Sequence, residues 1–171
     1  GTDADQDGIG DAPQIIDQYN RDNHPLTGVF SNFTVHWQEQ EHFIATVSNS
    51  TVTSFQFDST RRIVSFNVTG ETHTIGFCRV TIPNIILEEM WNNNFTVLVD
   101  NKEPLTIRNW TDGTNTFIYL TYQHSQHEVT IIHEYALNVL LLLSVLTTSL
   151  IIIKKRTSNK SPLHVPYEYY F

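Results

Sequence analysis

Asn32-Phe33-Thr34-Val35-His36-Trp37 alternates polar and apolar side chains with a period of two, and that period decides the fold. In an extended chain successive side chains point to opposite faces, so Phe33, Val35 and Trp37 share one face while Asn32, Thr34 and His36 share the other. The pattern returns at Val64-Ser65-Phe66-Asn67-Val68, and again where Phe95, Val97 and Val99 alternate with Asn94 and Thr96. Each such run reads as a strand with one wet face. Further strands are expected at 42–48, 51–57, 73–82, 104–110, 115–123 and 128–133, separated by turn signals such as Asp112-Gly113-Thr114-Asn115. About nine strands without intervening helices predict a mainly β domain over 29–134, an antiparallel Ig-like β-sandwich. One short helix is expected from Ile85 to Trp91, entered after Pro83 with Asn84 as cap. Cys78, the only cysteine, lies on the same side as Val80 and Ile82 and reads as a buried small hydrophobe, with no partner for an intramolecular disulfide.

Beyond this domain the composition changes. Ala136 to Ile153 is an uncharged, apolar run of 18 residues that stops at Lys154-Lys155-Arg156. As a helix it would reach ~27 Å, close to the thickness of the hydrocarbon core of a bilayer. A buried core helix would need partner helices, and the sequence offers no other long helical pattern. Residues 135–153 are therefore expected to form a single transmembrane helix followed by a basic and aromatic tail, 154–171. The basic cluster on the downstream flank puts that tail in the cytoplasm and residues 1–134 outside, at the surface of a cell membrane. Charge follows the same division: residues 1–134 hold six Lys/Arg against 17 Asp/Glu, whereas the tail holds four Lys/Arg against Glu168. An acidic exterior argues against nucleic acid as a partner and leaves membrane lipid, surface polysaccharide or other cell-surface proteins. The topology demands an export signal and none is visible, so the chain reads as the C-terminal part of something longer.

The opening segment, Asp3-Ala4-Asp5-Gln6-Asp7-Gly8-Ile9-Gly10-Asp11, places carboxylates at i, i+2 and i+4 before a glycine turn. Calcium takes six to eight oxygens, and such a segment can converge on one ion. Asp3, Asp5 and Asp7 would supply side chains, Ile9 its backbone carbonyl, and Asp11 a direct or water-mediated contact. The twelfth position of an EF-hand loop carries a bidentate Glu; here it is Gln14, so a weak site, or closure by Asp17, is expected.

Residues 3–26, with their Asp-x-Asp-x-Asp-Gly-Ile-Gly-Asp-x-Pro run and later Asn23-His24-Pro25-Leu26, resemble the Asp-rich end of NosD-type right-handed parallel β-helix domains in archaeal surface proteins. Gln14 and His24 stand where that pattern carries aromatics. The resemblance implies that 1–28 is a junction closing a β-helix that lies upstream in the parent protein. The family's copper binding does not carry over, because His24 is the only plausible copper ligand in the stretch. Phe77-Cys78-Arg79-Val80-Thr81-Ile82-Pro83 to Tyr119-Leu120-Thr121-Tyr122 also resembles membrane-proximal ectodomains of archaeal surface proteins.

Other constellations carry less. Asn-x-Ser/Thr sequons occur at Asn32, Asn49, Asn67, Asn94 and Asn109 on the outer side, where a glycan could be attached, and at Asn159 on the cytoplasmic side, where none is expected. Thr-rich strands also produce sequons by accident. His124 and His127 would face each other ~5 Å apart across a hairpin turn at Ser125-Gln126, with Glu128 or His42 as a further ligand. Glu39 with Glu41 and Glu88 with Glu89 are carboxylate pairs, but no nucleophile elbow, zinc-protease helix or phosphate loop is present. The reading that follows is a non-enzymatic membrane anchor and stalk with a calcium-stabilised junction, displaying an upstream domain outside the cell. The alternatives are a carbohydrate-binding, adhesin-like ectodomain using Trp91 or Trp110, and a metal-dependent hydrolase using the histidines.

Overall fold

The computed structural model describes residues 2–134. The apolar run 135–153, Lys154, Lys155, Arg156, Asn159 and the tail lie outside the described residues, and among those described no helix is long and apolar enough to cross a membrane.

Period-two alternation produces the expected strands. A two-residue pair, β1 (Gln14–Ile15) with β2 (Arg21–Asp22), precedes nine longer strands. These are β3 (Val29–Trp37), β4 (Gln40–Ser48), β5 (Thr51–Asp58), β6 (Ile63–Thr69), β7 (Ile75–Pro83), β8 (Phe95–Val99), β9 (Thr106–Thr111), β10 (Asn115–Gln123) and β11 (Gln126–His133). They form a five-stranded sheet, β3-β4-β7-β10-β9, and a four-stranded sheet, β5-β6-β11-β8. Every pairing is antiparallel. The chain is mainly β and consistent with a β-sandwich, because one apolar cluster draws on both sheets: Ile44, Cys78, Val80, Ile118 and Leu120 from the first, and Val64, Phe66, Val68 and Ile131 from the second, all at 0–1% exposure. One lateral edge is sealed by aromatics from β3 and β5, where Phe33 stacks on Phe55 at 4.1 Å and Trp37 meets Phe57 edge-on. The other edge, between β8 and β9, stays open, and Leu105 and Ile107 are about half exposed there.

The helix α1 runs Asn84–Trp91 and buries Ile86, Leu87, Met90 and Trp91. Asn84 is not its cap. Pro83 occupies that position without a side-chain hydrogen bond, while the Asn84 amide donates to Thr111 Oγ1 and accepts from Thr116 Oγ1, tying the helix entry to β9 and β10. The helix ends at Asn92 in the left-handed conformation, whose N–H returns to Glu88 O at 2.6 Å.

Cys78 lies in the core as expected, and burial pushes its thiol up to about 12 against weaker opposing effects of Ser48 and Arg79. Because the thiolate is the reactive form, the full chain at pH 8 should resist a water-soluble disulfide reagent and release one equivalent only on unfolding. Rapid labelling of the native chain would show that the core is not closed around β7.

Connections divide cleanly between the two ends of the sandwich. Hairpins β3–β4, β5–β6 and β9–β10, together with α1, lie at one end. At the other end the chain crosses between sheets four times, at 49–50, 70–74, 100–105 and 124–125. The chain enters β3 at the crossing end, beside Ser48, and leaves β11 at the hairpin end.

Candidate metal centre

The Asp-rich segment folds on its own carboxylates. Asp3 Oδ1 accepts the Asp7 N–H at 2.9 Å, Asp3 Oδ2 accepts the Gly8 N–H at 3.0 Å, and Asp7 Oδ1 accepts the Ile9 N–H at 2.7 Å. Gly8 turns the chain with φ of +81°, a conformation that costs a glycine little. Ile9 bridges to Leu26, but the bridge bonds run from Gly10 N–H to Pro25 O and from Thr27 N–H to Gly8 O. Ile9 therefore directs its own amide and carbonyl back towards the loop, since in an extended residue both point the same way. Carboxylate oxygens of Asp3, Asp5 and Asp7 come within 4.8 Å of one another. Two ligands at about 2.4 Å from one ion can be no further apart than about 4.8 Å, so the three fit one hard cation.

Electrostatics there favours a cation. The Asp5 carboxyl is raised from its ordinary value by partial loss of hydration and then by Asp7, Asp11 and Asp3, with Arg108 opposing. Asp11 closes the loop from the far side, with Oδ2 accepting the Ala4 N–H at 2.8 Å. Asp17 serves elsewhere: it caps the β1–β2 turn through the side chain and backbone of Asn20 and the Tyr19 N–H, and these bonds lower its carboxyl below the usual range.

The loop lies against the outer face of the five-stranded sheet. Register places Arg79, Tyr119 and Arg108 side by side across β7, β10 and β9, with Phe117 beside Trp110 in the next row. Arg79 Nη1 donates to Asp7 O at 2.7 Å, and Arg108 Nη1 donates to Asp5 O. The guanidinium groups donate to carbonyls, so Asp3 and Asp7 keep backbone N–H groups of their own loop as hydrogen-bond partners. Both cations lie over aromatic rings, Arg79 over Phe117 and Arg108 over Trp110, and Trp110 stacks on Phe117 at 5.4 Å. The Tyr119 hydroxyl, bonded to Asp3, is pushed up to about 12 by burial and then by the charge of Asp3. None of these partners was marked by the sequence motif. The available signal was that β10 is apolar on both faces, with Phe117 and Tyr119 outside and Ile118 and Leu120 inside, as in a strand covered from both sides.

The remaining candidates are dispersed. Asn32, Asn49 and Asn109 are exposed, whereas Asn67 and Asn94 are half-buried. Asn49 also works structurally, its amide donating to Ile75 O and accepting from the Phe77 N–H. His124 and His127 do not face each other across a hairpin, because β10 and β11 belong to different sheets and the link between them is a crossing. Ser125 Oγ, His127 and Asp100 are spaced like a nucleophile–base–acid relay, at 2.8 Å and 2.6 Å. Yet His127 Nε2 also meets Gln123 O at 2.7 Å, and a nitrogen that donates to a carbonyl cannot accept the serine proton. Trp91 is fully buried and cannot stack on a sugar, and the Trp110 ring is already taken up by Phe117 and Arg108. Compared with protein-family models, with curated proteins and with solved structures, the chain matches none of them.

Proposed function

We propose that this chain is the membrane anchor and stalk of a cell-surface protein, with an Ig-like sandwich as spacer and a calcium-stabilised junction at residues 1–28. What carries the reading is the convergence of Asp3, Asp5 and Asp7 in a loop that two arginines hold against the sheet. A cation there would offset the mutual repulsion of the carboxylates and fasten the entering segment to the sandwich. Asp3, Asp5, Asp7 and the Ile9 carbonyl would be ligands, with Asp11 direct or through water. All are oxygens, which suits calcium rather than a soft transition metal. Entry into β3 and exit from β11 at opposite ends is what a spacer needs. The uncharged run 136–153 and Lys154, Lys155 and Arg156 would fix the exit in a membrane, with residues 1–134 outside and the tail in the cytoplasm.

Calorimetric titration of the full chain in detergent micelles tests the junction. Calcium should bind with Kd of about 10⁻⁴–10⁻³ M, typical of extracellular sites, and at 100 times Kd should stabilise by about 2.7 kcal/mol. Asp5→Asn and Asp7→Asn should each weaken binding at least tenfold; unchanged binding in the double variant would remove the ion from the account. Protease added to intact cells should cut before residue 135 and spare the tail. A protected N-terminal part would overturn the orientation.

A further inference from the structure

At the crossing end of the sandwich a buried histidine joins three separate connections. His124, on the link at 124–125, is 7% exposed, and its Nε2 is 2.7 Å from Ser50 Oγ on the link at 49–50. Its Nδ1 is 2.5 Å from Thr74 Oγ1 on the link at 70–74. Backbone bonds reinforce the junction, from His124 N–H to Thr74 O and from Gly70 N–H to Ser125 O. Gly70 and Gly76 wall the imidazole: a Cβ on either would come within 2.3–2.5 Å of a ring carbon of His124. Ser50 Oγ is also 2.8 Å from the Tyr122 hydroxyl. The fourth crossing is tied by the neighbouring His127, which pairs with Asp100 at 2.6 Å.

This arrangement suits a neutral ring better than a charged one. A neutral imidazole has one donor and one acceptor, and two hydroxyls can serve both. With a second proton both nitrogens donate, so Ser50 and Thr74 must each accept and must send their own protons elsewhere. Thr74 already donates to Glu71 O, whereas Ser50 must turn its proton to the Tyr122 hydroxyl, which must then donate along its long 3.4 Å contact with Phe77 O. Charged and titratable neighbours are few. The 70–74 link contributes Glu71, which favours the charged ring; β11 contributes His127, which opposes it, with Asp100 behind. β10 adds the Tyr122 phenol, and at this point β7 and the 49–50 link present only Gly76, Asn49 and Ser50. Burial and His127 hold His124 below the usual histidine range, in keeping with this geometry.

We propose that the Ser50–His124–Thr74 hub is an acid-sensitive latch. It holds the inter-sheet connections together while the ring is neutral and loosens that end of the sandwich when the ring takes a second proton.

The linkage sign follows from the lowered position of His124. As pH falls below 6.5, the ordinary value, the unfolded chain takes up a proton that the folded chain refuses, so stability falls with pH until the folded ring is protonated. Carboxylates that are lowered by their hydrogen bonds, Asp58, Asp100 and Asp112, lose their contribution only below about 4, in a separate window. The test compares the full chain with His124→Gln in detergent micelles from pH 7.5 to 5. Wild type should lose about 4 °C in Tm per pH unit more than the variant within the latch window. Amide exchange at 49–50, 70–76 and 122–126, corrected for intrinsic rates, should rise ahead of the rest as pH falls. Should the variant fail to fold, imidazole proton NMR of wild type decides alone, through a His124 signal that stays neutral below the range of exposed histidines. A His124 that titrates near 6.5, equal pH slopes, or protonation without faster exchange at the hub would overturn the proposal.

Discussion

Trp91→Ala should destabilise the sandwich by about 3–5 kcal/mol, the cost of removing a large buried aromatic and leaving a cavity. The indole is fully buried at the end of α1, its Nε1–H donates to Arg62 O at 2.8 Å, and its ring lies 6.2 Å from that of Phe95. Alanine would empty the space beneath the helix and also leave the Arg62 carbonyl, in the turn between β5 and β6, without its donor. Two connections at the hairpin end would then loosen together. For a domain of this size the loss corresponds to a fall in Tm of roughly 15 °C. Trp91→Phe keeps much of the volume but not the donor, so it should cost distinctly less. Urea denaturation of both variants checks this; a shift below about 1 kcal/mol for alanine would mean that α1 stands outside the cooperative core.

The strands were legible because one physical rule governs them: a half-buried strand must alternate, and Val64-Ser65-Phe66-Asn67-Val68 does so without a break. Which strands neighbour each other was less legible. A two-residue link between β10 and β11 reads equally as a hairpin or as a step between sheets, and the choice depends on β6, β7, β8 and β9 competing for the same edges. That ambiguity is why His124 and His127 were expected to face each other. The role of Asn84 was hidden for a related reason: its side chain finds Thr111 and Thr116, about 30 residues away, in preference to the helix it precedes. Trp91 could have been placed correctly, since Ile86, Leu87, Met90 and Trp91 make one apolar face at helical spacing. The Asp-rich loop was the reverse case. Its local geometry follows from spacing, but its attachment through Arg79 and Arg108 depends on register across β7, β10 and β9, which no local pattern records.

Gly28→Ala should be the most damaging small change at the start of the domain, costing about 1–3 kcal/mol as an overpacked site. A Cβ there would lie 2.4 Å from the carbonyl carbon and oxygen of Ser48, contacts with backbone that no rotamer change relieves. Ser48 cannot retreat, because it is fully buried, its hydroxyl donates to Phe77 O, and the Ser50 N–H donates to that same hydroxyl. The movement must therefore fall on the Gly28 side. There Thr27 donates its N–H to Gly8 O, and its hydroxyl reaches Asp3 Oδ2 at 3.4 Å. Displacing Gly28 thus pulls on the loop as well as on the first pair of β3 with β4, Val29 with Ser48. Gly113→Ala is the control: its φ of +92° strains any other residue, but no atom lies within 4 Å of the added Cβ. It should cost only about 1 kcal/mol. Urea denaturation should rank Gly28→Ala below Gly113→Ala, and limited proteolysis should cut residues 10–27 faster in the first variant only. Equal stabilities and equal cleavage would show that the close approach of Gly28 to Ser48 does not hold the loop. Were cleavage faster and stability unchanged, the loop would be fastened through Gly28 without contributing to the cooperative fold, and ion binding there would stabilise the junction alone.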